Sequence, residues 1–128
     1  MIGIAVSVAT VAAFILSSVY YMLLTPWEQR ATAGRAIERG APGPRRVVAE
    51  LLRTAVLAGG FAGVAVLAGM TDLPRSLLLA VVLWVVFPAV LLSGSVIWDR
   101  VPVPTALLHA GDWLMKLLLI ALIIGLLP

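Results

Sequence analysis

Three ionisable residues near the end of the chain have the types and the spacing that buried polar chemistry uses. His109, Asp112 and Lys116 are three and four residues apart, so on an α-helix they share one face. They interrupt an apolar run over residues 104–128 that is long enough to cross a bilayer. Ionisable groups inside a membrane normally face a bundle interior or water, and they mark binding sites or proton relays. The stripe is therefore the first candidate for a ligand site or a charge relay.

Glu50 and Arg53 supply a second pair of charges, in the first turns of the second apolar segment. The second and fourth segments cross in the same direction, so at about 1.5 Å per residue Arg53 and Asp112 reach similar depths. We predict an Arg53–Asp112 ion pair and a Glu50–His109 contact. Lys116 lies deeper and is predicted to reach back to Asp112, because acid four residues before base is the favourable order. Four serines fall in the same half of the bundle: Ser17, Ser18, Ser93 and Ser95.

This charged layer has two interpretations that the sequence leaves open. Paired charges can fix the order and rotation of helices, in which case the layer is structural. Alternatively, it forms a site for a small anion, a metabolite or a proton, open to the cytoplasm. With one histidine and no cysteine, neither a metal site nor a cofactor site is predicted. No nucleophile–base pair of recognisable spacing is present, so no catalytic residue is predicted.

The composition sets the fold class that must position these residues. The chain is 62% hydrophobic and 12% charged, whereas soluble domains carry about 25% charged residues. The mean hydropathy of +1.13 agrees with this deficit of charge. We predict a single domain over residues 1–128, an all-α integral membrane four-helix bundle. Its spans are placed at about residues 2–24, 47–69, 76–98 and 105–127, with a short interfacial helix at about 26–39.

The interfacial helix is predicted from a start signal. Thr25 can act as the N-cap, Pro26 fits the first helical position, and Glu28 completes a capping box. The loop over residues 25–46 holds five of the arginines: Arg30, Arg35, Arg39, Arg45 and Arg46. By the positive-inside rule this basic loop is cytoplasmic and both termini lie outside. The predicted location is the plasma membrane of a bacterium. The net charge of +3 is thus attributed to topology, and no nucleic-acid partner is predicted.

Two further features concern packing. Ala55, Gly59 and Gly63 recur at intervals of four, a spacing that lets helices approach closely. We expect them to pack within the bundle, with a dimer interface as the alternative. Pro88 lies inside the third span and is expected to bend it, because proline cannot donate to the carbonyl of Trp84. A packing kink is favoured over a hinge.

Several short motifs flank or occupy the spans. They are Tyr20-Tyr21 followed by Trp27, then Phe87-Pro88, Trp98-Asp99-Arg100, Pro102 and Ala110-Gly111-Asp112-Trp113-Leu114. Together they resemble a small bacterial membrane family catalogued as domain of unknown function 1761. The resemblance implies four spans and assigns no reaction. The chain departs from it at Asp112, where an aromatic residue is expected, and at His109, where a smaller polar residue is expected.

These observations lead to three functional hypotheses. The first is a non-enzymatic binding or accessory protein, with a polar pocket that faces the cytoplasm. Its partners would be the lipid bilayer and either further copies of the chain or a larger membrane protein. The second is a proton- or ion-coupled transporter that uses the stripe of His109, Asp112 and Lys116. The third, a membrane-embedded enzyme, ranks last because no catalytic constellation is visible.

Overall fold

The computed structural model describes residues 2–37 and 43–127. Within these ranges the chain forms five helices: α1 (Ile2–Ala31), α2 (Pro44–Ala68), α3 (Leu73–Val86), α4 (Pro88–Trp98) and α5 (Val103–Leu126). Helices α3 and α4 together make one span, so four helical segments are long and apolar enough to cross a membrane. The predicted all-α bundle of four spans is confirmed.

Helix α1 is longer than the first predicted span. It continues without a break through Pro26 to Ala31, and the Thr25 hydroxyl donates to the Tyr21 carbonyl at 2.5 Å instead of capping a new helix. A separate interfacial helix that begins at this point is therefore wrong. Proline removes only one donor from a helix, and the packing of the residues that follow outweighs that loss. The end of the predicted interfacial helix, at residues 38–39, lies outside the described residues.

Packing explains why α1 continues beyond Pro26. Glu28 and Thr32 are fully buried, at 0% exposure, and the Thr32 hydroxyl donates to the Glu28 carbonyl at 2.8 Å. The chain leaves the helix through Ala33 and Gly34, which both have positive φ values, 53° and 80°. The basic loop thus begins later than predicted, and α2 already starts at Pro44.

The third span is interrupted at Phe87, whose φ and ψ are −108° and −76°. The Phe87 N–H still bonds to the Leu83 carbonyl at 3.0 Å, but Pro88 has no N–H to offer the carbonyl of Trp84. Helix α4 begins at Pro88. The expected effect of Pro88 is therefore present as a break between two helices. The third span also begins three residues early, because Asp72 caps α3 by accepting from the Arg75 N–H at 3.3 Å.

Helix α5 is the centre of the bundle, and it packs most extensively against α1 and α3. On α1, three alanines at intervals of four are completely buried, namely Ala5, Ala9 and Ala13. They belong to one apolar core with the α5 side chains Leu117, Ile120, Ala121 and Ile124. Small side chains let two helix backbones approach closely. The three small alanine side chains therefore allow α1 to pack directly against α5.

The contact between α3 and α5 is equally close. A Cβ added at Gly125 would lie 2.7 Å from the Leu73 Cα, which is well inside van der Waals contact. Nearby, the buried Ser76 hydroxyl donates to the Ala121 carbonyl at 2.9 Å. Gly125 thus permits an approach of two backbones that no larger residue would allow.

The small-residue stripe of α2 has a different environment from the one predicted. Gly59 and Gly63 are exposed, and an added Cβ at either position would meet nothing within 4 Å. The expectation that they pack within the bundle is wrong. Instead, the face of α2 that carries Phe61 packs into the bundle, because burying a large aromatic side chain removes more apolar surface from water than burying glycines does. Ala55 is half-buried, and a dimer interface through this stripe stays a prediction.

Candidate functional site

Asp112 is the centre of a buried polar cluster between α1 and α5. Its side chain is only 5% exposed, and Oδ2 holds the Lys116 ammonium at 3.0 Å. Its Oδ1 accepts a hydrogen bond from the Ser17 hydroxyl at 2.6 Å. The Tyr21 hydroxyl lies 3.5 Å from Oδ2, a longer and weaker contact. The predicted pairing of Lys116 with Asp112 is confirmed.

His109 joins the cluster through the same tyrosine. The Tyr21 hydroxyl and His109 Nδ1 share a hydrogen bond of 2.6 Å, and the two rings lie with their centroids 5.7 Å apart. A continuous series of polar contacts therefore runs from His109 through Tyr21 and Asp112 to Lys116. We refer to Ser17, Tyr21, His109, Asp112 and Lys116 as the polar cluster.

The register of α1 on α5 is fixed by backbone contacts beside the cluster. The Tyr20 hydroxyl donates to the Leu108 carbonyl at 2.6 Å. A Cβ added at Gly111 would lie 2.4 Å from the Tyr20 hydroxyl oxygen, so a glycine at this position makes room for the tyrosine. On the other side of α5, the Trp84 indole donates to the Ala110 carbonyl at 2.9 Å. The first turns of α5 are thus held between α1 and α3.

The two predicted contacts between α2 and α5 are wrong. Arg53 pairs with Glu50, three residues before it on the same helix, and the two side chains are 65% and 44% exposed. Neither contacts Asp112 or His109. The physical reason is that α2 packs chiefly against α1 and touches α5 little. Equal depth in a membrane does not place two side chains on facing sides of their helices.

The separation of α2 from α5 leaves a groove of about 380 Å³ beside the cluster. We call it the α2/α5 groove. Its lining comprises Glu50, Leu52, Arg53, Thr54, Val56, Leu57, Trp113 and Lys116. The Lys116 Nζ lies 4.7 Å from the centroid of the Trp113 ring, an attractive cation–π arrangement. Lys116 therefore belongs both to the polar cluster and to the wall of the groove.

Sequence reasoning missed Tyr20 and Tyr21 as members of the site and assigned them to the membrane interface. It placed Ser17 at the right depth without a partner. Ser18, Ser93 and Ser95 donate to carbonyls of their own helices. The signal that would have identified Ser17 and Tyr21 is their spacing of four, which puts both on one face of α1, as the spacings of three and four put the charged stripe on one face of α5.

The polar cluster contains a buried ion pair, Asp112 and Lys116, whose carboxylate also accepts hydrogen bonds. Each Asp112 oxygen has a donor, and the Ser17 hydroxyl points its proton at a carboxylate that is already ion-paired. Within residues 2–37 and 43–127, no three histidine, cysteine, aspartate or glutamate side chains are grouped to hold a metal ion. The arrangement orients Lys116 toward the groove and connects it to His109.

Comparison with known proteins agrees with the motifs. A family model described as "Protein of unknown function (DUF1761)" matches residues 4–125, nearly the whole chain. No curated protein and no solved structure gives a significant match. The family description assigns no activity, so the function has to be argued from the geometry. By the extent of the match, the chain belongs to the DUF1761 family.

Proposed function

We propose that this chain is a non-enzymatic binding protein of the membrane whose ligand site is the α2/α5 groove. The observation that supports the proposal is the position of Lys116, which lines the groove. Its Nζ lies 3.0 Å from Oδ2 of Asp112, a residue that does not line the groove. Small-molecule sites are mostly apolar concavities with a few placed polar groups. The groove has this character, because most of its accessible surface is apolar and its charged lining residues are Glu50, Arg53 and Lys116.

The polar cluster serves the site as a support in this proposal. A buried ammonium is stable in a bundle only when a counter-charge and hydrogen bonds surround it. Asp112, itself oriented by Ser17, supplies them on the α1 side. Lys116 thereby keeps its charge at the wall of the groove, although its side chain is only 9% exposed.

The proposal includes an orientation in the membrane. The groove lies near the start of α2, on the side of the basic loop, where Arg45 and Arg46 lie in the first turn of α2. The positive-inside rule puts that side in the cytoplasm of a bacterial cell, with both termini outside. Because the chain has no native cysteine, single cysteines at Thr71 and at Ile37, which is 82% exposed, test this directly. A membrane-impermeant maleimide applied to intact cells is expected to label the cysteine at position 71 and not the cysteine at position 37.

Binding is tested by native mass spectrometry of the protein purified in mild detergent. We expect a bound small molecule of defined mass, which Leu57→Phe removes by filling the groove. Leu91→Phe is the matched control, because Leu91 is on α4, 70% exposed and absent from the groove lining. Identical spectra for wild type and Leu57→Phe would rule out the groove as the site.

A second candidate function is proton-coupled transport, which the series His109–Tyr21–Asp112–Lys116 favours. Hydrogen-bonded chains of this kind carry protons in membrane proteins. The transporter ranks second because the rest of α5, from Leu117 to Leu126, has no ionisable residue. Proton flux into proteoliposomes, measured with an internal pH dye, is the test. Flux that is lost in Asp112→Asn with Lys116→Met, a variant that leaves no buried charge unpaired, would establish transport, and wild-type flux equal to that of empty vesicles would exclude it.

A further inference from the structure

We propose that the ligand of the α2/α5 groove is a single-chain amphiphile with an anionic headgroup, a fatty-acid-like carboxylate in its simplest form. The headgroup binds between Lys116 and Arg53, and the hydrocarbon chain lies along Leu57 and Trp113. This inference rests on the proposed function, and it adds the chemical class of the ligand and its route of entry.

Lys116 carries the headgroup assignment. An ammonium has three N–H donors, and among the described residues Asp112 is the oxygen partner that Lys116 has. Asp112 lies behind Lys116 and does not line the groove. A group that enters the groove therefore approaches Lys116 and not the carboxylate of Asp112. An anion can accept from the remaining donors without displacing Asp112.

Arg53 adds a second cationic group on the opposite wall. Its guanidinium has five donors, and one nitrogen, Nη1, is engaged by Glu50. Glu50 also lines the groove and pairs with Arg53 within α2, so the charged side chains of the lining, Glu50, Arg53 and Lys116, leave one positive charge in excess. Positive groups on two different helices, one buried and one at the rim, complement a negative headgroup.

The apolar part of the groove indicates the rest of the ligand and its path. Leu52 and Val56 lie on the α2 side of the groove and are 63% and 75% exposed. In a membrane these side chains contact lipid tails, so a hydrocarbon chain can enter the groove past them without crossing water. The volume of about 380 Å³ is near the lower end of the roughly 300–1,000 Å³ of small-molecule sites. That space suits a headgroup with one chain and is small for a complete two-chain lipid.

Quenching of Trp113 fluorescence by chain-brominated probes tests the proposal. The protein carries Trp27→Phe and Trp98→Phe, which remove two exposed tryptophans, and is placed in phosphatidylcholine vesicles. A brominated fatty acid, the alcohol of equal length and the equivalent trimethylammonium are compared. We expect the carboxylate to quench at about tenfold lower concentration than the alcohol, as one charge-assisted hydrogen bond implies. The same protein with Trp113→Phe gives the background, and inorganic phosphate is expected not to compete.

Arg53 has a matched control in this chain. Arg75 forms the same kind of pair three residues after an acid, with Asp72, and the exposures of 67% and 51% resemble those of Arg53 and Glu50. Arg75 lies at the opposite end of the bundle. We expect Arg53→Gln to reduce the preference for the carboxylate several-fold and Arg75→Gln to leave it unchanged. The double variant Lys116→Gln with Asp112→Asn, which buries no unpaired charge, is expected to abolish the preference and retain quenching by the alcohol.

The outcomes separate this inference from the proposed function. Equal quenching by all three probes, lost in Leu57→Phe, overturns the anionic headgroup and leaves the groove as a binding site. An equal effect of Arg53→Gln and Arg75→Gln shows a general surface-charge effect and overturns the inference as well. Quenching that never exceeds the Trp113→Phe background overturns the inference, whereas the proposed function is decided separately by the mass spectra of wild type and Leu57→Phe. Competition by inorganic phosphate would mean that the free anion is the ligand and would overturn the amphiphile.

Discussion

A hydrogen bond of 2.6 Å joins the Ser17 hydroxyl to the Asp112 carboxylate and thereby links the first span to the last. The same carboxylate neutralises Lys116, and the two side chains are 5% and 9% exposed. Asp112 therefore both joins two spans and fixes the position of the Lys116 ammonium.

Asp112→Asn is expected to destabilise the protein by about 3–5 kcal/mol, because it leaves the Lys116 ammonium buried without a counter-charge. Thermal unfolding of the detergent-solubilised protein measures the loss. Asp72→Asn is the control, since it breaks an exposed pair with Arg75 worth about 0–1 kcal/mol. If both substitutions lower the melting temperature equally, Asp112 has no structural role.

Removing both charges is expected to be less harmful than removing one. In Asp112→Asn with Lys116→Met no buried charge is left unpaired, and replacing a buried pair by uncharged groups is often nearly neutral. The double variant should therefore be more stable than Asp112→Asn alone. Unfolding measurements on the wild type, both single variants and the double variant form a thermodynamic cycle. Additive losses would mean that the two side chains do not interact.

Gly125→Ala and Gly60→Ala are expected to have opposite effects. At Gly125 the new Cβ would lie 2.7 Å from the Leu73 Cα, so α3 and α5 must move apart, at a cost of roughly 1–3 kcal/mol. At Gly60 the new Cβ meets nothing within 4 Å, and alanine gains up to about 1 kcal/mol of helix propensity. The change in melting temperature distinguishes the two, and destabilisation by Gly60→Ala would indicate that this face of α2 contacts another chain.

Gly111→Ala is expected to displace Tyr20, because the added Cβ would lie 2.4 Å from its hydroxyl oxygen. The displacement breaks the hydrogen bond to the Leu108 carbonyl, a loss of about 1 kcal/mol. In a Tyr20→Phe background that oxygen is gone, so the same substitution should have a smaller effect. The difference between the two backgrounds, measured by unfolding, is the interaction energy. No difference would contradict the close contact of Tyr20 and Gly111.

The fold could be predicted from the sequence because a membrane span depends on the summed hydrophobicity of consecutive residues. Apolar stretches separated by arginine- and proline-rich turns predict four helices without any knowledge of their packing. The Lys116–Asp112 pair could also be predicted, since its geometry is local to one helix. The break at Pro88 follows from the missing N–H of that one residue.

The rest of the site depends on rotations between helices, which sequence spacing does not contain. Arg53 and Asp112 reach comparable depths, yet α2 turns Arg53 toward Glu50 and the surface. Tyrosine is a residue type that is common at the membrane interface, yet the packing of α1 against α5 brings the Tyr21 hydroxyl to His109. At Pro26 the local sequence favours the start of a new helix. The structure instead continues α1 through this point and buries Glu28.

The ion pair between Lys116 and Asp112, which forms within one helix, has a consequence for membrane insertion. A lone lysine or aspartate at the centre of a nascent span opposes its transfer from the translocon into lipid by about 2.5–3.5 kcal/mol. Since the two residues are one helical turn apart and bonded within the same helix, we expect the fourth span to enter the bilayer as an internally neutralised segment. Its insertion therefore need not wait for an earlier span to supply the opposite charge, and docking onto Ser17 and Tyr21 can follow as a separate event.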